Sequence, residues 1–187
     1  MASNKTLLDK DGIKFIKLTD ETFHISFTIE NNIDVSPLIN LNIIKLIYDL
    51  NSEFFDSIQT EHINSDERQI YLLFKDLFAD IGIPQYYYHF NIKQHNESAE
   101  SIKFIITPTD AQENKNKNNN ADTIYVPVPM TQCELSCSIV NKTLGQINIV
   151  VQINNADLFS PTFFEKMVAM ILYKLINRLK QFISNII

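Results

Sequence analysis

Residues 160–187 read SPTFFEKMVAMILYKLINRLKQFISNII, the longest periodic stretch in the chain. Ser160-Pro161 is a helix start: a capping hydroxyl, then proline at the first helical position, where its missing N–H costs nothing. Phe164, Val168, Ile171, Leu175, Leu179, Phe182 and Ile186 follow at spacings of 4, 3, 4, 4, 3 and 4. That period is one stripe of an amphipathic helix, and it is expected to face a sheet. Lys166, Tyr173, Asn177, Gln181 and Ser184 take the opposite side. Met167, Met170, Leu172, Ile176, Ile183 and Ile187 widen the apolar face beyond a narrow stripe. At full length such a helix runs roughly 40 Å, enough to lie across an entire sheet.

Upstream, two kinds of period alternate. Ile13 to Leu18 and Thr22 to Glu30 read as a hairpin, with Phe23, Ile25, Phe27 and Ile29 on one face and His24, Ser26 and Thr28 on the other. Ser36-Pro37 repeats the helix start, and Ile39, Ile43, Leu46, Ile47, Leu50 and Phe54 give the first inserted helix. Ser65, with Asp66 and Glu67 behind it, caps a second; its stripe is Ile70, Leu73, Phe74, Leu77, Phe78 and Ile81, and Gly82-Ile83-Pro84 stops it.

From Tyr86 the period returns to two. Tyr86, Tyr88, Phe90 and Ile92 form one strand, and Ile102, Phe104 and Ile106 the next. Ile124, Val126 and Val128 alternate with Pro127 and Pro129, which places that strand at an edge or bulge. Cys133, Leu135, Cys137 and Ile139 follow, then Ile147, Ile149, Val151 and Ile153. Residues 109–122 hold no apolar residue larger than alanine and are expected to be a flexible Asn/Lys-rich loop.

The fold class is therefore α+β in a single domain, residues 1–187. It has a curved antiparallel sheet of about six to seven strands, two helices inserted after the N-terminal hairpin, and a long C-terminal helix packed across the sheet. This order of elements is similar to the helix-grip arrangement, although an extra strand precedes the inserted helices. The similarity is one of architecture and does not carry function with it.

Composition narrows the function by exclusion. A net charge of −6 in 187 residues disfavours general nucleic-acid binding, which needs cations facing phosphates. The charge is uneven: residues 159–187 carry Lys166, Lys174, Arg178 and Lys180 against Glu165, a net of +3, which leaves −9 elsewhere. The three glycines are isolated, so no phosphate loop, dinucleotide fingerprint or nucleophile elbow is present. With no signal core after Met1, no apolar run of transmembrane length and only two cysteines, an intracellular, cytoplasmic setting is expected. The 28 Ile and 20 Asn are what an AT-rich genome produces; an AT-rich bacterium, a protist or a large DNA virus would fit.

The chemistry-bearing residues stay scattered. Cys133 and Cys137 would be half a metal site or a redox pair, but strand residues four apart are too distant for a disulfide and no second ligand pair follows. Buried structural cysteine is the expected role. His24, His62, His89 and His95 have neither nucleophile nor paired carboxylate nearby in sequence. Tyr86-Tyr87-Tyr88-His89-Phe90 would stack nucleobases only with more cations than Lys93 supplies, so core packing is expected, with Tyr87 facing water or a partner. Lys174, Arg178 and Lys180 would suit an anionic membrane surface, or simply the dipole of their own helix.

No enzyme, cofactor or metal is expected from this inventory. The leading reading is a protein–protein interaction or assembly protein, self-associating as a homo-oligomer through Met170, Ile176, Ile183 and Ile187, with Tyr87 as a further contact. The alternative is a carrier of an apolar small ligand held between sheet and helix, lined by Phe23, Phe27, Tyr88, Phe90, Phe104, Met167 and Met170. An enzyme with dispersed residues comes third.

Overall fold

The computed structural model describes residues 4–76, 80, 82–109, 125–154 and 161–186. Ten strands build one sheet: β1 (Lys5–Lys10), β2 (Ile13–Lys17), β3 (Thr22–Glu30), β4 (Phe55–Asn64), β5 (Glu67–Phe74), β6 (Tyr86–Asn96), β7 (Ser101–Pro108), β8 (Val126–Pro127), β9 (Met130–Asn141) and β10 (Leu144–Ile153). Their order is β1-β2-β3-β10-β9-β7-β6-β5-β4, antiparallel throughout. β8 is the exception. It runs parallel to the start of β6, pairing at Tyr86 and Tyr87 beyond the point where β7 ends. Pro127 withholds a donor there, which confines the pairing to a short stretch.

The sheet is larger than the six to seven strands expected, because β1, β4 and β5 join it. The N-terminal hairpin has a partner strand upstream. Lys10 pairs with Ile13 across Asp11 and Gly12, both at positive φ (52° and 70°), a turn that suits the twist of a hairpin. The second correction is the helix expected from Ser65 onward, which is β5. Ile70, Leu72 and Phe74 alternate along it, and Ile70 is buried. A short apolar run satisfies either period, and the Asn64-Ser65-Asp66 cluster serves a turn as readily as a helix cap. Here Asn64 Oδ1 accepts the Asp66 N–H at 2.9 Å, closing the β4–β5 hairpin. Leu77, Phe78 and Ile81 lie outside the described residues.

The first inserted helix is also shorter than its sequence stripe. Ser36–Leu38 is a single 3₁₀ turn, and α1 begins at Ile43 and ends at Leu50. Asn40 interrupts it by accepting the Asn42 N–H on its own side chain at 2.8 Å. Phe54 and Phe55 then lead into β4 rather than extending the helix.

α2 (Pro161–Ser184) is the long terminal helix. It packs chiefly on β1, β2, β3 and α1. Its buried residues Glu165, Ala169, Ile176, Leu179 and Ile183, with half-buried Leu172 between them, define the inward stripe. The sequence stripe is thus rotated by about one residue: Phe182, expected to face the sheet, is 41% exposed, and Ile183 is fully buried. Both phases satisfy the same spacing on so apolar a helix, and packing chose between them. Leu175 turns aside to join Phe54 and Phe55 in a second small core with Ile171 and Phe74. The side chain of Phe164 lies outside the described residues, as does the cap residue Ser160.

Contacts along its C-terminal half fix the helix against the sheet and α1. Asn31 Nδ2 donates to the carbonyls of Ile183 and Ile186, capping the helix C-terminus. Lys180 Nζ donates to the Asp11 carbonyl at 2.8 Å, and Tyr173 Oη bonds the Asp11 carboxylate. Arg178 pairs with Glu53 and reaches Asn51, the buried residue that ends α1.

Candidate functional site

Residues paired across an antiparallel sheet point to the same side. One such row crosses seven strands of the inner face: Lys17, Phe23, Val151, Cys133, Ile106, Ile92 and Arg68, each in register with the next. Phe15, Ile25, Ile149, Leu135 and Phe104 make a second row, and Phe27, Ile147, Cys137 and Ile102 a third. Phe90 with Ile70, and Tyr88 with Leu72, extend the apolar face toward β4.

Burial along these rows is uneven. Ile147, Cys137, Phe104 and Ile92 are closed off at 0–2% exposure. Val151, Cys133 and Ile106, adjacent in register, keep 6–8%, as do Tyr88, Ile153 and Met167. Ile43, Phe54, Leu175 and Ile176 keep the same 7–8%, so this residual surface runs through the whole core. Val151, Cys133 and Ile106, with Phe23 and Ile92 in register beside them, form a continuous apolar band across β3, β10, β9, β7 and β6.

The polar groups bordering the band are mostly paired. Lys17 Nζ donates to Glu165 Oε1 at 2.7 Å and reaches Asp20 at 2.9 Å. Glu165 is buried, and the hydrogen bonds to Glu165 and Asp20 raise the Lys17 pKa above its ordinary 10.5. At the other end of the row Arg68 Nη1 donates to Asn42 Oδ1, at the start of α1, at 2.9 Å. Tyr88 differs. Its ring stacks on Phe90 with centroids 4.5 Å apart, the residue is 92% buried, and Oη has no hydrogen-bond partner among the described residues. Burial first, and then the nearby Cys133 thiol, push its pKa well up, so the group is a neutral hydroxyl.

Cys133 and Cys137 are free thiols on the same face of β9, both buried. Desolvation raises their pKa values to about 12 and about 11, with a smaller contribution from Glu134 at Cys133. They are poor nucleophiles there. Among the described residues no three His, Cys, Asp or Glu side chains converge as metal ligands.

Of the residues expected to line a ligand, Phe23, Phe27, Tyr88, Phe90, Phe104 and Met167 are all buried in the interior. Met170 points outward at 52% exposure. The residues expected to form an interaction surface do not come together. Ile176 and Ile183 are buried against the chain's own core, Met170 is exposed, and Ile187 lies outside the described residues. Tyr87 is on the outer face, stacked on Tyr71 at 5.5 Å. The helix cations are used within the fold as well. Arg178 and Lys180 hold Glu53 and Asp11, and Lys174 lies 5.8 Å from the Phe54 ring centroid.

Sequence reasoning did not single out Lys17, Glu165, Arg68 or Asn31 as positioning groups. The signal for two of them is present: Lys17 falls in phase with Ile13 and Phe15, and Arg68 with Ile70 and Leu72. A charge at an apolar phase of a strand needs an internal partner.

No protein-family model and no curated sequence matches the chain. Solved structures do. The human StarD13 (DLC2) lipid transfer and protein localization domain superposes with a TM-score of 0.72 at 11% identity, covering 100% of this chain and 91% of that one. Human STARD10 matches at 0.72 and 7% identity over 95% of this chain and 71% of that one. A STAR-related lipid transfer protein from Xanthomonas axonopodis matches at 0.70 and 7% identity, covering 97% and 99%. The fold is thus the helix-grip fold of these lipid transfer domains, as the element order suggested, with ten strands and with two α-helices among the described residues. No described helix is long and apolar enough to cross a membrane.

These findings overturn the leading functional expectation. An assembly protein was favoured because the terminal helix looked too apolar for one sheet to cover. Ile176 and Ile183 are in fact covered by the chain itself, and lipid transfer is in the printed names of the StarD13 domain and the Xanthomonas axonopodis protein.

Proposed function

We propose that this chain binds an uncharged, apolar small molecule of lipid character between the inner face of its sheet and α2, and holds it without transforming it. The observation that carries this reading is the continuous apolar inner face, with Phe23, Val151, Cys133, Ile106 and Ile92 in register and Tyr88 and Phe90 stacked beside them. Sites for apolar guests are lined in this way, by hydrophobic and aromatic side chains with few polar groups. The shared fold supports the same reading, since lipid transfer is in the names of the solved structures it resembles. Binding rather than catalysis is favoured by the chemistry bordering the band. Two protonated thiols, a neutral tyrosine and charges already paired offer no activated nucleophile or base.

The test uses 1,6-diphenylhexatriene, an uncharged rod that fluoresces strongly only in apolar surroundings. Saturable enhancement at one probe per chain is expected, abolished by Cys133→Trp, which fills the band from the middle of β9. The variant must keep the wild-type circular dichroism. Enhancement that never saturates, or that survives in a folded Cys133→Trp protein, would overturn the proposal.

A further inference from the structure

Resting on that reading, we infer that the ligand carries a single uncharged oxygen, a hydroxyl or a carbonyl, and that the Tyr88 hydroxyl is the group that recognises it. Tyr88 is held rigidly. It is paired with Leu72 of β5 near the start of β6, just beyond the last β7 pair at Phe90, and Phe90 stacks on its ring at 4.5 Å. A tyrosine placed there only to fill volume would be as well served by phenylalanine, because a buried hydroxyl without a partner costs free energy that a CH does not. Its Oη nevertheless ends unpartnered among the described residues, in a residue 92% buried, close to the Cys133 thiol of the apolar band. That is what a hydrogen-bond donor or acceptor awaiting a guest looks like in an otherwise apolar site.

The same surroundings define what the guest's polar end is not. A carboxylate or phosphate needs a cation within reach of Tyr88, and Lys17 is committed to Glu165 and Asp20. Arg68 holds Asn42 through Nη1 and keeps a buried Nε without a partner among the described residues, but it is paired with Ile92, about 13 Å along β6 from Tyr88. An ammonium needs a free carboxylate, and Glu165 is already committed to Lys17. A neutral oxygen is the partner whose transfer into this interior is offset by one hydrogen bond.

The experiment compares matched ligands with and without that oxygen. 1-Dodecanol and dodecane, and cholesterol and 5α-cholestane, are loaded from methyl-β-cyclodextrin onto wild type and Tyr88→Phe, and occupancy is read by native mass spectrometry. Dodecanoate is the charged control. In at least one pair the wild type should prefer the hydroxyl compound by about tenfold, the scale of one buried hydrogen bond. Tyr88→Phe should lose that preference while keeping its affinity for the hydrocarbon. The ligand-free variant should melt at or above the wild-type temperature, since it sheds an unpaired hydroxyl; a lower melting temperature would show that Oη has a structural partner. Equal binding of hydroxyl and hydrocarbon by wild type, preference surviving in Tyr88→Phe, or tighter binding of dodecanoate than dodecanol would each overturn the inference while leaving the apolar site intact. Binding of none of the five would overturn both.

Discussion

Lys17 on β2 and Glu165 in the second turn of α2 meet at 2.7 Å, 148 residues apart in sequence, with the carboxylate buried and the lysine half-buried. The contact closes one end of the inner row and ties the start of the long helix to the sheet. Lys17→Met should cost about 3 kcal/mol, because it strands a buried carboxylate. Lys17→Met with Glu165→Met should recover to within about 1 kcal/mol of wild type, since replacing both charges removes the desolvation penalty as well. Urea denaturation of the three proteins checks this, and a double variant worse than the single one would contradict it. The pH dependence has a definite sign. The folded pKa of Lys17 is raised, chiefly by the Glu165 hydrogen bond, so its stabilisation is complete below 10.5 and is lost as pH rises through the higher folded value. The Lys17→Met protein should lack that alkaline loss.

Leu175 and Phe182 were expected on one stripe, and their burial separates them. Leu175 packs with Phe54 and Phe55, whereas Phe182 is 41% exposed. Leu175→Ala should therefore cost about 2–5 kcal/mol, the range for a large-to-small change in a core. Phe182→Ala should stay within about 1 kcal/mol. Equal losses at the two positions would place the helix in the other rotation.

The parts of this fold that could be read in the sequence are those whose period is unambiguous. β3 alternates over nine residues and β10 over ten, and α2 holds its period over 24; each is long enough for one period to exclude the other. β5 is not: Ile70, Leu73 and Phe74 fit a helix, Ile70, Leu72 and Phe74 a strand, and only pairing with β4 and β6 decides. β1 was missed although Asp11-Gly12 is a strong hairpin signal, because Leu7 and Leu8 show no alternation to prompt a search upstream. The inward placement of Phe23, Phe27, Tyr88, Phe90 and Phe104 was legible since each strand carrying them has a clear inner face. What sequence could not supply was the rotation of α2, on which both the burial of Ile183 and the meeting of Glu165 with Lys17 depend.

Asn31 should prove more than a loop residue. Its side-chain amide satisfies two carbonyls at the end of α2, and its carbonyl oxygen accepts the Asn32 and Ile33 N–H groups. Asn31→Leu is close in size but leaves those groups unpaired in a buried position, a loss of about 1–3 kcal/mol. Hydrogen exchange should locate the loosening in the last turn of α2 and residues 31–33. Faster exchange spread evenly over the sheet would assign Asn31 a different role.

The thiols give the last prediction. Cys133 and Cys137 titrate at about 12 and about 11 in the fold, because burial disfavours the thiolate, against an ordinary value of 9.0. At pH 8 neither should react with a bulky aromatic disulfide within the time that denatured protein reacts completely, as the thiolate is the reacting species. The sign for stability follows from proton binding. The folded state holds these protons more tightly than the unfolded state, so the contribution is complete below pH 9 and declines as pH rises through about 11 and 12. A Cys133→Val, Cys137→Val double variant removes both titrations and should flatten the part of that decline that the thiols cause. Because Cys133 lies in the apolar band proposed to hold the guest, an occupying guest should slow its modification under partial denaturation more than that of Cys137, whose side chain is closed off at 0% exposure. Protection that is equal at the two thiols would mean that the guest stabilises the whole fold without touching Cys133.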